Sequence, residues 1–187
     1  MKTTNLFAKL SGTIFVVGSA AFIGVPAIAQ FFYPPASYFS PWANPFQSED
    51  NPNVAELLAM NDDFETVSSL LAKANLTETL EGEQVVTIFA PTDEAFQALP
   101  RATRKQLSKP ENLTKILKYH VVEGEITDDD IKSQEVATLL GTPVKMVFLP
   151  SGEKFTTKLN DATASEPLGA SNGVVIPIDK VLLPPEF

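Results

Sequence analysis

Residues able to do chemistry are scarce in this chain. Its one histidine, His120, stands directly after Tyr119 in LKYHVVEGEI, residues Leu117 to Ile126. An imidazole can act as a general base, a metal ligand or a pH sensor, or it can sit in a core with its nitrogens hydrogen-bonded. There is no cysteine, which removes disulfides, thiolate nucleophiles and zinc–sulfur sites. A single histidine also removes multi-histidine metal centres, leaving oxygen ligands of the kind calcium or magnesium takes. Catalysis by His120 would need a nucleophile and an orienting acid, and the chain has no G-x-S-x-G motif. The acidic run Asp128-Asp129-Asp130 lacks the alternating D-x-D-x-D-G spacing of a calcium loop, and helix capping after Thr127 accounts for it. No glycine-rich phosphate loop and no basic patch is read. The expectation is a chain with no catalytic residues, metal or cofactor, in which His120 is a partly buried, hydrogen-bonded core residue.

The elements that must position this stretch follow from hydrophobic periodicity. Val54, Leu57 and Leu58, then Phe64, Val67, Leu70, Leu71 and Ala74, recur at helical spacing, with Asn53 and Asp62 or Asp63 as N-caps. A Gly82 turn leads into Val85 to Phe89, a β-branched and aromatic run stopped by Pro91 that predicts a buried strand. Thr92-Asp93-Glu94 predicts a helix start. Residues 101–118 hold two short helical pieces, the second opened by Pro110 and carrying Leu113, Ile116 and Leu117 on one side. Tyr119 to Val122 is expected as a strand, and Thr127 caps a further helix. Four apolar runs follow, Val136–Leu139, Val144–Phe148, Phe155–Leu159 and Val174–Ile178, separated by Gly, Asn and Asp turns. Helices first and strands later predict an α+β domain from Asn53 to Phe187 rather than alternating βαβ units.

The N-terminal residues 1–29 carry Lys2 and Lys9, an apolar run from Leu10 to Ile23 and Ala27-Ile28-Ala29 before Gln30. This is the pattern of a cleaved signal peptide, with an uncleaved membrane anchor as the alternative, and the expected location is outside the cell or in a periplasm. Residues 30–52 hold five prolines and seven aromatics (Phe31, Phe32, Tyr33, Tyr38, Phe39, Trp42, Phe46). They read as an extended tether, an inert linker or an adhesive arm. Without residues 1–29, 12 basic residues face 23 acidic ones, a net charge of −11. That balance repels phosphate backbones and anionic lipid heads, so nucleic acid is not expected as a partner, and a membrane only at its surface. The sequons at Asn75 and Asn112 matter only in a eukaryotic secretory route.

Three blocks in order resemble the fasciclin (FAS1, or beta-Ig-h3/fasciclin) domain: TIFAPTDEAFQALP from Thr87 to Pro100, LKYHVVEGEI, and NGVVIPIDKVLLPP from Asn172 to Pro185. The resemblance covers about 135 residues, a usual domain length. It implies an α+β wedge, a β-sandwich with helices packed along one side. Many members have a histidine where this chain has Ile176, followed here by Pro177. Proline cannot donate to a ladder, so this strand is expected at an edge or bulged.

From the resemblance comes the functional expectation: a monomeric, secreted or cell-surface adhesion and matrix-binding module, without catalysis. Its partners would be an envelope or matrix protein or polysaccharide, with Tyr119 and His120 as partner contacts. A periplasmic binding protein for a small apolar or lipid-like ligand is the alternative. A hydrolase built on His120 is a third reading.

Overall fold

In the computed structural model, residues 51–82, 84–151 and 154–187 are described, so the leader and residues 30–50 of the proline- and aromatic-rich arm lie outside the described residues. Helices come first. The Asn53 side chain accepts from the Glu56 N–H, and Glu56 returns a bond to the Asn53 N–H. This capping box satisfies two of the donors that a helix start leaves unpaired, and it opens α1 (Val54–Met60). A 3-10 turn at Asp62–Phe64 leads into α2 (Glu65–Lys73), and α3 (Thr77–Glu81) follows. The cap of the 3-10 turn is Asn61, whose side chain accepts from the Asp63 N–H, rather than either predicted aspartate. Asn75, one of the two sequons, takes a left-handed conformation (φ 55°) just past α2.

The expected strand is β1 (Val86–Pro91), which includes Pro91 instead of stopping before it. Thr92 caps α4 (Asp93–Gln97), and α5 (Arg101–Leu107) and α6 (Pro110–Tyr119) are the two expected helical pieces. Strand β2 is Val121–Glu123 and α7 is Asp128–Ser133. The remaining strands are β3 (Glu135–Ala137), β4 (Pro143–Ser151), β5 (Lys154–Leu159), β6 (Ala162–Ala164), β7 (Leu168–Ala170) and β8 (Gly173–Ile178).

The eight strands run in the order β2-β1-β8-β6-β5-β4-β3, with β7 added onto β8. One pair, β1 with β8, is parallel, and the others are antiparallel. The ends of this path approach each other: the Leu139 N–H, just past β3, donates to the Val121 carbonyl of β2 at 2.7 Å. The sheet therefore curls almost closed around one apolar cluster. Phe89, Val122, Val136, Val144, Met146, Leu159, Ala162, Val174, Ile176 and Ile178 bring seven strands into it. The other face of β1 and β8 buries Val86, Ile88, Ala90 and Val175 against the helices in a second cluster. Alternation along a strand is what allows one pair to serve both cores. The result is an α+β wedge.

Strand β8 is not at an edge. It pairs with β1 along its whole length, and with β7 and β6 on the other side. Pro177 is tolerated because the N–H and C=O of a strand residue point to one side. Its carbonyl accepts from the Ser165 N–H at 2.8 Å, so its nitrogen faces the gap between β6 and β7. The ladder to β1 loses no donor there.

Candidate functional site

Helix α6 sets the geometry of the tyrosine–histidine pair. Pro110 starts it without wasting an N–H, and its apolar stripe places Leu113, Ile116 and Leu117 in the helix-side core. Tyr119 is its last residue and His120 its C-cap, so the strand begins at Val121, two residues later than the sequence predicts. That shift decides where the side chains go. Tyr119 enters the barrel-like core at 2% exposure, and His120 is 1% exposed.

Each polar atom of the pair is taken. The His120 Nδ1 lies 2.8 Å from the Ile116 carbonyl, and Nε2 accepts from the Leu182 N–H at 3.0 Å. A donor on one side and an acceptor on the other define the neutral tautomer with its proton on Nδ1. Burial drives the pKa down to about 4, against a smaller opposing pull from the Ile116 carbonyl. The His120 carbonyl accepts from the Phe89 N–H, so one residue ties α6, β1 and the C-terminal segment together. The Tyr119 hydroxyl donates to the Pro143 carbonyl at 3.2 Å and accepts from Asn160 Nδ2 at 3.0 Å. Asn160 in turn accepts from the Lys145 N–H. A neutral imidazole with both nitrogens engaged by backbone has no lone pair for a metal or for a nucleophile's proton.

Asn172 is a comparable hub that sequence reading treated only as a turn residue. Its side chain accepts from the Val54 N–H and donates to the Leu80 and Gly82 carbonyls at 2.7 and 2.8 Å. It fastens the start of α1 and the end of α3 to β8. The neighbouring Gly173 has no room for a side chain, since a Cβ there would lie 1.9 Å from the Val86 carbonyl oxygen.

Asp130 serves the α7 cap: its carboxylate accepts from the Thr127 N–H and hydroxyl, while Thr127 accepts from the Asp130 N–H. Asn112, the second sequon, donates its amide to Gln106 across the α5–α6 turn. Among the described residues no group of three or more His, Cys, Asp or Glu is placed to hold a metal ion, and no helix is long and apolar enough to cross a membrane.

The chain-wide charge balance hides one feature. Residues 101–118 hold six basic side chains (Arg101, Arg104, Lys105, Lys109, Lys115, Lys118) and one acid, Glu111. All of the basic residues but the half-buried Lys118 are exposed. A charge count over a short window, instead of over the chain, would have found it. Beside this face, an open groove of about 400 Å³ runs between α2, α4, α5 and α6.

Comparison with known proteins adds the family. The fasciclin domain profile matches residues 62–184. This chain belongs to the fasciclin-domain family. Protein sll1483 of Synechocystis is 44% identical over 71% of this chain and 73% of its own length. Transforming growth factor-beta-induced protein ig-h3 of Sus scrofa is 37% identical over 71% of this chain but only 19% of its own. The cell surface glycolipoprotein MPB83 of Mycobacterium bovis is 33% identical over 71% of this chain and 60% of its own. This fasciclin-domain chain thus spans about a fifth of ig-h3 and three fifths of MPB83. Its fold matches a FAS1 domain pair from the insect cell adhesion molecule fasciclin I with a TM-score of 0.56, at 15% identity, over 72% of this chain and 52% of the other.

Proposed function

We propose that this fasciclin-domain protein is a secreted or cell-surface adhesion module that binds an envelope or matrix partner without catalysing a reaction. The observation that carries the reading is the state of His120: neutral, buried, and bound through both ring nitrogens to backbone. The one imidazole of the chain is spent on holding three segments together, which is the work of a scaffold. A relative named for the cell surface, and a fold neighbour described as an adhesion molecule, support the setting.

Tyr119 and His120 contribute to binding by fixing the surface around them. With both side chains facing inward, neither meets the partner directly. The signal-peptide pattern of residues 1–29 supports export. The test is adhesion of the producing cells, or of their envelope fraction, to a surface coated with the purified protein. Specific retention is expected, and retention no better than on a coat of an unrelated acidic protein would refute the adhesion reading.

A further inference from the structure

We propose that the groove between α2, α4 and the α5–α6 pair docks an acidic segment of a partner protein that carries one bulky apolar side chain. Its lining includes Leu70, Phe96, Leu107 and Leu113, with the cations Lys73 and Arg104 beside them. Phe96, Leu107 and Leu113 are buried members of the helix-side core and Leu70 is half-buried, so the groove floor is the outer edge of that core. An apolar floor flanked by two cations and the hydroxyls of Thr66 and Ser108 has the anatomy of a protein–protein contact, where an anchor side chain fills the pocket and polar groups surround it.

Charge complementarity selects the sign. None of the six basic residues of 101–118 makes an ion pair with a described residue; the pair among described residues is Lys132 with Asp129, on α7. Outside this stretch, residues 30–187 carry 6 basic and 22 acidic residues. An acidic partner is therefore attracted at this face and repelled by the rest of the molecule, which fixes orientation as well as encounter. The carboxylate of Asp93 in α4, which accepts from the Thr66 N–H at 2.8 Å, keeps its negative charge and offsets only part of this field.

Other polyanions fit less well. Among the described residues the large apolar side chains that stand exposed are Met60, Leu149, Leu183 and Phe187, so the described α5–α6 face has no wedge to insert into a bilayer. It has no exposed aromatic for stacking nucleic acid bases, Tyr119 being buried. An acidic polysaccharide would satisfy the cations and leave the apolar floor empty.

The docking reading names the partner class of the adhesion module and rests on that reading, but its test is independent of cells. The purified protein is titrated against a labelled peptide in which glutamates flank a single phenylalanine. Binding that weakens with added salt is expected. Arg104→Glu should weaken it about tenfold, and so should replacing the peptide's phenylalanine by alanine. Lys145→Glu, the same charge change on exposed β4, should leave it unaltered. No binding, equal loss with Lys145→Glu, or equal binding of the phenylalanine-free peptide would each overturn the proposal. Tighter binding to phosphatidylglycerol vesicles or to polygalacturonate would overturn the choice of partner. Failure here with adhesion of cells intact would leave the module and move its contact surface elsewhere.

Discussion

At the scale of single residues, His120 turns burial into a pH dependence. Its pKa falls from the ordinary 6.5 to about 4 in the folded chain, so between these values the unfolded chain binds a proton that the folded one refuses. Stability is then fully present above pH 6.5 and is lost as pH falls toward 4, by about 3 kcal/mol in total. Denaturant unfolding of the protein and of His120→Leu at pH 7.5 and pH 4.5 measures it. The variant should be less stable by about 3 kcal/mol at the higher pH, because the Leu182 N–H and the Ile116 carbonyl lose their partner. The gap should narrow at the lower pH, and a constant gap would mean that the imidazole does not carry the linkage. Tyr119→Phe removes a donor from Pro143 and an acceptor from Asn160, for an expected cost of about 1–2 kcal/mol without a change in fold. A cost indistinguishable from zero would show the hydroxyl network to be idle.

At the scale of elements, two joints carry testable weight. The α7 start depends on reciprocal bonds between Thr127 and Asp130, so Thr127→Ala should cost about 1 kcal/mol. The exposed Lys132–Asp129 pair on the same helix should contribute little, being 73% and 94% exposed. Equal losses from Thr127→Ala and Asp129→Ala would contradict that ranking. Strands β1 and β8 meet at Gly173 with no room for a methyl group. Gly173→Ala should therefore cost about 3 kcal/mol or more, read as a lower melting temperature. A variant as stable as the parent would mean that the two strands can part without penalty.

Much of this layer was legible in advance. Asn53, Thr92, Pro110 and Thr127 announced helix starts because capping chemistry is local. The short strands β6 and β7 and helix α3 were missed, since three to five residues leave little periodicity to read. Of the expected edge or bulge at Pro177, the edge failed for another reason: the tolerance of Pro177 depends on where β7 gives way to β6, which no residue near it encodes.

At the scale of the whole molecule, charge is segregated and not simply negative. The full chain carries a formal −9, and self-repulsion among its acids opposes the compact state. Added salt should screen that repulsion and raise the melting temperature by a few degrees between low and physiological ionic strength. A fall instead would mean that the attraction between the basic α5–α6 face and the acidic remainder dominates.

By itself, the sequence determined the α+β class, the order of most elements, the three fasciclin-like blocks and the absence of thiol or multi-histidine chemistry. Each of these rests on residue type, short-range spacing or ordered motifs. Only the tertiary structure decided that Tyr119 and His120 face inward, that Asn172 fastens two helices to β8, and that Arg104 of the basic stretch lines an apolar groove. Those outcomes depend on which distant segments meet: His120 bonds Leu182 across 62 positions, and Asn172 reaches Leu80 across 92. The bond between His120 and Leu182 made the one histidine a clamp.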